Sequence, residues 1–102
     1  MTVAEIQSRK EELERLMGDP AVLADKKKLA EFSREYKRVR GMAELQTTID
    51  QMQETVDEAR SLKQDPDEST RAMAEGILVS LEPSLTKLKE RLELLLIPPE
   101  PT

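Results

Sequence analysis

The chain has 102 residues, of which 36% are charged, 37% hydrophobic and 2% aromatic, and its formal net charge is −5. One ordinary domain has about this length, and so small an aromatic share suits apolar stripes on long helices better than a large globular core. The chain has no His, Cys or Trp, which excludes His-based acid/base catalysis, thiol nucleophiles and His or Cys metal sites, so we predict no enzyme and no cofactor.

The first predicted helix begins after Thr2 and runs to Met17. Thr2 followed by Glu5 predicts a capping box, in which each side chain accepts a hydrogen bond from the other residue's backbone N–H. The sequence Gly18-Asp19-Pro20 ends this helix. Asp before Pro then predicts one short helical turn over residues 20–24, and Asp25 is predicted to cap the helix that follows.

The second predicted helix runs from Lys26 to about Lys63 without a proline. Its apolar residues recur every three or four positions, as expected for one buried face. The phase of this stripe shifts by one residue near Gly41, which predicts that the two halves of the helix meet different surroundings. The alternative is a local shift without structural meaning.

The third helix is predicted to begin at Asp65, with Asp65 as its cap, Pro66 in the first helical position and Glu68 two positions later. Its apolar residues keep a heptad spacing, which is typical of a packed seam. Pro83 lies off this seam and is predicted to kink the helix on its outer side. The seam comprises Ala74, Leu78, Leu81, Leu85, Leu88, Leu92 and Leu95.

Residues 98–101 read Pro-Pro-Glu-Pro, which favours a stiff extended segment over a helix. We therefore predict a helical domain over residues 1–97, with residues 98–102 as the start of a linker to a further domain. The N-terminus lacks a basic-then-apolar signal pattern, and the longest apolar run is Leu94–Ile97, so a cytoplasmic protein is expected.

The predicted fold is all-α and elongated: a long antiparallel hairpin of the second and third helices, with the first helix packed at one end. The residues predicted to lie beside the first helix are Phe32, Tyr36, Leu92 and Leu95. Short loops make consecutive helices antiparallel neighbours. A turn near residue 64 would then pair residues of the two stripes in reverse order. The predicted pairs are Val56 with Met73, Met52 with Ile77, Ile49 with Leu81 and Leu45 with Leu85.

Three segments at their observed spacing resemble bacterial class I peptide chain release factors. They are Leu16-Met17-Gly18-Asp19-Pro20-Ala21-Val22, Phe32-Ser33-Arg34-Glu35-Tyr36-Lys37 and Leu94-Leu95-Leu96-Ile97-Pro98-Pro99-Glu100-Pro101. With Asp65-Pro66-Asp67 and Met73-Ala74-Glu75, the resemblance covers essentially the whole chain. The last of the three segments is most similar to the branch of the family that acts at UAA and UAG stop codons.

The resemblance implies the helical N-terminal domain of a translation termination factor. In this family the codon-reading loop and the catalytic Gly-Gly-Gln lie downstream of such a domain, so no catalytic residue is carried over. The implied partners are the ribosome, through the protein and rRNA of its stalk base, and a GTPase that recycles release factors. No membrane and no small-molecule substrate are implied.

One charged segment is a candidate ribosome-contacting surface. Residues 26–40 hold seven basic and two acidic residues, a local excess of +5. Lys27, Arg34 and Arg38 fall in one narrow sector at about 100° per residue, opposite the apolar stripe, and could contact rRNA phosphates. The alternative is an ordinary solvated face whose basic residues pair with acids of the first and third helices.

A competing function from another class is a structural scaffold that self-associates through its heptads. Both hypotheses predict long helices. The interrupted heptad frame would specify an oligomer poorly, and a scaffold has no need of the Pro-rich exit, so the sequence favours the release-factor domain.

Overall fold

A computed structural model describes residues 1–97 as four helices joined by short loops: α1 (Val3–Met17), α2 (Pro20–Leu23), α3 (Lys26–Leu62) and α4 (Glu68–Leu96). The described part of the chain contains no strand, so the all-α prediction is confirmed. The predicted linker over residues 98–102 lies outside the described residues.

The bounds of α1 are those predicted, but the prediction of a capping box is wrong. The Thr2 hydroxyl accepts no backbone hydrogen bond and instead donates to the Glu5 carboxylate, 3.0 Å away. The backbone N–H of Glu5 donates to the Thr2 carbonyl at 3.1 Å. An ionised carboxylate is a strong acceptor for a hydroxyl proton, so the two side chains bind each other rather than the backbone.

The connection between α1 and α3 follows the prediction closely. Asp19 caps α2 by accepting a hydrogen bond from the Ala21 N–H at 2.8 Å, and Pro20 occupies the first helical position. Asp25 then accepts from the Lys28 N–H at 3.2 Å, which caps α3. These short-range caps depend only on neighbouring residues, which is why sequence alone predicts them.

The buried side of α3 changes as the shift in its stripe predicts. Phe32 and Tyr36 are half-buried, whereas Val39 and Met42 are fully buried. Ile49 and Val56, seven and fourteen residues after Met42, are buried, whereas the residues at the same spacing after Val39 are glutamines and only half-buried. The buried side therefore rotates close to Gly41.

Helix α4 begins two residues later than predicted, at Glu68 rather than Pro66. Asp65 accepts a hydrogen bond from the Asp67 N–H at 2.8 Å, which forms a turn rather than a helical cap. Asp67 is the residue that closes the first turn, because its carboxylate accepts from the Ser69 N–H and the Thr70 hydroxyl. Its carbonyl also accepts from the Arg71 N–H at 3.1 Å. Two consecutive Asx-type turns thus take the place of the single predicted cap.

Pro83 lies within α4, which continues on both sides of it. Its side chain is exposed, on the outer side as predicted. Ala74, Leu78, Leu85 and Leu92 form the buried seam, and Leu81 and Leu88 are half-buried. Leu95 is 40% exposed, so the prediction that it belongs to the seam is wrong. The buried seam therefore ends at Leu92, the preceding apolar position of the heptad pattern.

The chain divides into two compact units, Met1–Gln46 with the residues from Leu95 onward, and Thr47–Leu94. In the first unit, α1 packs against α2, and Arg9 of α1 forms a two-bond ion pair with Glu35 of α3. The amino group of Met1 donates to the Leu96 carbonyl at 3.4 Å. The predicted position of the first helix at the Phe32–Tyr36 turn is therefore confirmed, whereas its contacts with Leu92 and Leu95 stay predictions.

In the second unit, three polar contacts join α3 and α4 in reverse order. Lys63 pairs with Glu75 at 3.3 Å and Arg60 with Glu82 at 3.4 Å. Further along, Lys89 donates to the side chain of Gln53 at 2.6 Å. The antiparallel direction is thus confirmed. The pairing of Val56 with Met73 is wrong, because Met73 is 57% exposed while the neighbouring Ala74 is fully buried. The other three predicted pairs share this register and are wrong as well. Gln53, next to Met52, bonds to Lys89, which lies twelve residues, or about 18 Å along α4, beyond the predicted partner Ile77.

Two glycines lie inside long helices where no internal packing demands them. A Cβ added to Gly41 in α3 or to Gly76 in α4 would meet no atom within 4 Å. No glycine in the described part of the chain has a positive φ, so ordinary residues would fit the backbone at both positions. Each costs about 1 kcal/mol of helix stability relative to alanine. The reason for a glycine at either position lies outside the packing of the described residues.

Candidate functional site

The basic segment of α3, residues 26–40, presents its charge to solvent. All seven of its Lys and Arg residues are exposed, among them Lys27, Arg34 and Arg40. Lys27 and Arg34, two of the three candidate contact residues, make no side-chain hydrogen bond or ion pair with any residue between 1 and 97. Both are therefore available to an external anion.

Arg38, the third candidate, has a partner within the chain. Its Nη2 donates to the Leu95 carbonyl at 3.3 Å, near the end of α4. Arg38 lies one turn before Met42, on the side toward which the buried face of α3 rotates. Its side chain is therefore close to α4. A guanidinium has five N–H donors, so the remaining donors of Arg38 can still reach a second acceptor. Arg38 therefore differs from Lys27 and Arg34, because only the Arg38 side chain forms a hydrogen bond within the described part of the chain.

The acid in the middle of this segment is neutralised by a residue of α1. The Arg9 guanidinium donates to both carboxylate oxygens of Glu35, at 2.5 and 2.6 Å, and the pair is partly buried. This bond lowers the pKa of Glu35 and raises that of Arg9; burial opposes both shifts, and the charge of Arg38 lowers the Glu35 pKa further. Arg9 and Glu35 lie 26 residues apart, so no local pattern could have predicted their pairing.

The alternative interpretation of the basic segment required ion pairs with the acids of α1 and α4. The described residues contain no such pair for any of its seven basic side chains. Arg40 pairs with Glu44, on its own helix, at 3.1 Å, and both side chains are more than half exposed. The positive charge of the segment is therefore largely uncompensated by neighbouring helices.

A shallow hollow lies at the end of the basic segment, with a volume of about 280 Å³. Four residues of α3 line it: Lys37, Arg40, Gly41 and Glu44. Gly41 leaves the space open because it has no side chain. Neither Lys37 nor Gly41 was among the contact residues predicted from sequence. A glycine in mid-helix beside two basic residues is the signal that could have identified them.

The rest of residues 1–97 offers few other kinds of site. This part of the chain has no cluster of carboxylates arranged to hold a metal ion. None of its helices combines the length and apolar character needed to cross a membrane.

Comparisons with known proteins agree with the resemblance noted in the sequence. Residues 6–102 match the PCRF domain family. A protein named peptide chain release factor 1 from Acidobacterium capsulatum is 35% identical over 97 residues, which cover 95% of this chain and 27% of the relative. Proteins of the same name from Listeria welshimeri and Bacillus thuringiensis are 33% and 31% identical, over 94% of this chain.

The chain spans about a quarter of the length of these curated relatives. No solved structure matches it significantly. The family match extends from within α1 through the last residue and therefore includes the whole basic segment and the Gly41 hollow. The chain belongs to the PCRF domain family, and it resembles a part of bacterial peptide chain release factor 1.

Proposed function

We propose that this chain is the ribosome-docking part of a translation termination factor that acts in the cytoplasm at UAA and UAG stop codons. The family match and the relatives' name support a role in termination. The similarity to release factor 1 supports the choice of codons. The observation that carries the docking role is the exposed basic segment of α3, whose charge no acid of α1 or α4 within residues 1–97 neutralises.

The proposed contact is electrostatic. Lys27, Arg34 and Arg38 bind phosphates of rRNA near the stalk base, where a ribosomal protein lies alongside the RNA. Lys27 and Arg34 are the stronger candidates because neither has a partner in the described chain. Such contacts position a protein on RNA without reading sequence, and their strength comes largely from released counterions. A GTPase that recycles release factors is a second proposed partner.

Catalysis of peptide release is assigned to another part of the factor. The 102 residues contain no Gly-Gly-Gln, and the only glycines are Gly18, Gly41 and Gly76. The chain's contribution is to bind and orient. Its own residues therefore affect the affinity for the ribosome, and they affect termination through that affinity.

The test is binding of the 102-residue chain to purified bacterial ribosomes over a range of salt concentrations. Replacing Lys27, Arg34 and Arg38 together by Glu should weaken binding and reduce the log-log salt slope by roughly 0.7–0.9 for each phosphate that is no longer neutralised. The fold should be retained, because exposed charges contribute only ~0–1 kcal/mol each.

The matched control replaces three other basic residues that lie outside the segment, Arg15, Lys87 and Arg91, by Glu, which changes the net charge equally. If the basic segment docks, the control keeps most of its affinity and its salt slope. Equal loss in both triple variants would mean that binding follows net charge alone. An unchanged slope in the Lys27, Arg34 and Arg38 variant would refute the proposed contacts.

A second candidate function is self-association as a helical scaffold. It is favoured by Met73 and Val79, which are 57% and 68% exposed on α4. Sedimentation equilibrium separates the two functions. A monomer over the concentrations used for ribosome binding supports docking, whereas a stable oligomer that does not bind ribosomes supports the scaffold.

A further inference from the structure

We propose that the hollow at Gly41 is a seat for one phosphate of an RNA backbone, held between Lys37 and Arg40. The inference rests on the proposed ribosomal function but assigns a site beyond the Lys27, Arg34 and Arg38 contacts. Lys37, Arg40, Gly41 and Glu44 line the hollow, and all four belong to α3.

Gly41 is the observation that points to a close approach from outside. It lies well inside a helix of 37 residues, with ordinary helical backbone angles. No atom of the described chain would obstruct a side chain there, so packing within the chain does not explain the glycine. Glycine weakens a helix, and a common reason to keep one is that another molecule's backbone comes close.

The charges around the hollow suit a phosphate. Lys37 makes no ion pair or side-chain hydrogen bond with any described residue. Arg40 is engaged by Glu44, but that pair is 61% and 67% exposed, and such pairs are weak enough to exchange partners. An arginine guanidinium can bind two phosphate oxygens at once, while a lysine ammonium acts as a point charge.

The hollow also continues the face that carries the first two candidate contacts. At about 100° per residue, Gly41 lies about 20° round the helix from Arg34 and about 40° from Lys37. These residues share one exposed side of α3, so a nucleic-acid backbone that follows this side would pass over the hollow. Arg38 is offset toward α4, where it bonds to the Leu95 carbonyl.

The size of the hollow favours a single group over a whole small molecule. Its volume of about 280 Å³ lies below the range of ~300–1,000 Å³ that is usual for small-molecule pockets. The lining offers two cations, one carboxylate, that of Glu44, and no apolar side chain, so its formal charge is positive by one. An acidic polypeptide is the other anion that could present a charge here, and the experiment includes it as a competitor.

The first test fills the hollow without changing any charge. Gly41→Leu and the milder Gly41→Ala place a side chain where the phosphate would sit. Gly76→Leu and Gly76→Ala are the matched controls, because Gly76 is also helical and open at its Cβ. Binding of the 102-residue chain to a fluorescently labelled RNA hairpin is followed by anisotropy over a range of salt concentrations.

We expect both alanine variants to melt about 4–8 °C higher, since glycine is removed from a helix in each. Gly41→Leu should nevertheless weaken RNA binding several-fold and lower the salt slope by roughly 0.7–0.9, which corresponds to one phosphate. Gly76→Leu should leave both quantities unchanged. A variant that is more stable but binds RNA less well would show that Gly41 serves RNA binding rather than the fold.

The second test removes the charge. Lys37→Gln should lower the slope by the same amount and should add little to the effect of Gly41→Leu, because both variants act on the same phosphate. Polyglutamate should compete poorly with the hairpin for the parent chain. Unchanged RNA affinity in Gly41→Leu overturns the seat, as does a parent chain that binds no RNA or prefers polyglutamate.

Failure of this inference and failure of the proposed function are distinguishable. If the Lys27, Arg34 and Arg38 variant loses ribosome affinity while Gly41→Leu and Lys37→Gln do not lose RNA affinity, docking stands and the seat is refuted. If the Gly41 and Lys37 variants lose RNA affinity while the triple variant binds ribosomes normally, the chain binds phosphate but docks by another surface.

Discussion

The two units of the chain differ most in charge. The unit formed by Met1–Gln46 and the residues from Leu95 onward has ten basic and ten acidic residues and is neutral, whereas Thr47–Leu94 has six basic and eleven acidic residues. The whole formal charge of −5 therefore belongs to the second unit. An RNA surface would attract the basic segment of the first unit and repel the second, which fits contact through one unit only.

The units also differ in how they use their ion pairs. The first has a partly buried, two-bond pair between α1 and α3, Arg9 with Glu35. The pairs that join α3 and α4 in the second, Arg60 with Glu82 and Lys63 with Glu75, are about half exposed. Partly buried bidentate pairs keep their strength better than exposed ones. We therefore expect electrostatics to matter more for the stability of the first unit.

The largest predicted effect tests whether the two units open separately. Leu13→Ala in the first unit and Leu78→Ala in the second both remove a buried leucine side chain, 0% and 6% exposed. Each should cost about 2–5 kcal/mol. Hydrogen exchange followed by mass spectrometry should show the loss of protection concentrated in residues 1–46 for Leu13→Ala and in 47–94 for Leu78→Ala. Equal losses along the chain in both variants would show a single cooperative unit.

An intermediate effect is predicted for Glu35→Gln, which removes the charge that Arg9 binds. The folded-state pKa of Glu35 lies below its usual value of 4.5, so the pair stabilises the fold above that pH and loses its effect as the pH falls through the lowered pKa. With a discount for partial exposure, we expect a loss of about 1 kcal/mol near neutral pH.

Urea unfolding at about pH 7 and about pH 3 measures this difference. The deficit of the Glu35→Gln variant relative to the parent should be smaller at the lower pH. Glu31→Gln is the control, because Glu31 lies one turn earlier on α3 and has no partner among residues 1–97. A Glu35→Gln deficit as large at low pH as at neutral pH would rule out the ion pair as its cause.

The smallest effect is predicted for Glu82→Gln in the second unit. The Glu82 side chain is 45% exposed and its contact with Arg60 is 3.4 Å long, so water screens the pair. We expect a loss of about 0–0.5 kcal/mol in urea unfolding, with Glu58→Gln as a control on an exposed acid of α3 that has no partner between residues 1 and 97. A loss equal to that of Glu35→Gln would remove the electrostatic contrast between the units.

Short-range patterns predicted most of the fold. The bounds of α1 and α3, the short α2 and the caps at Asp19 and Asp25 depend on residues a few positions apart, and the structure confirms them. Two of the errors lie where several polar groups compete. Thr2 had an alternative acceptor in Glu5, and consecutive aspartates moved the start of α4 to Glu68. Propensity does not decide between partners of similar strength.

The candidate site was less predictable because it depends on contacts between distant residues. The angular spacing that grouped Lys27, Arg34 and Arg38 places them on the solvent-facing side of α3. This spacing does not reveal that Arg38 donates a hydrogen bond to the Leu95 carbonyl, 57 residues away, or that Arg9 forms an ion pair with Glu35. The Gly41 hollow could have been inferred from sequence, since its four lining residues belong to one helix.

Pro83 limits what can cover the outer side of α4. Proline has no N–H to donate to the Val79 carbonyl, which is the usual acceptor one turn earlier. Because Val79 is 68% exposed, water can donate a hydrogen bond to that oxygen instead. A partner that excluded water from this turn without supplying a donor would leave the carbonyl without a hydrogen bond, at a cost of about 1–3 kcal/mol. Any protein that packs on the Val79–Pro83 turn must therefore bring a hydrogen-bond donor or leave the contact hydrated.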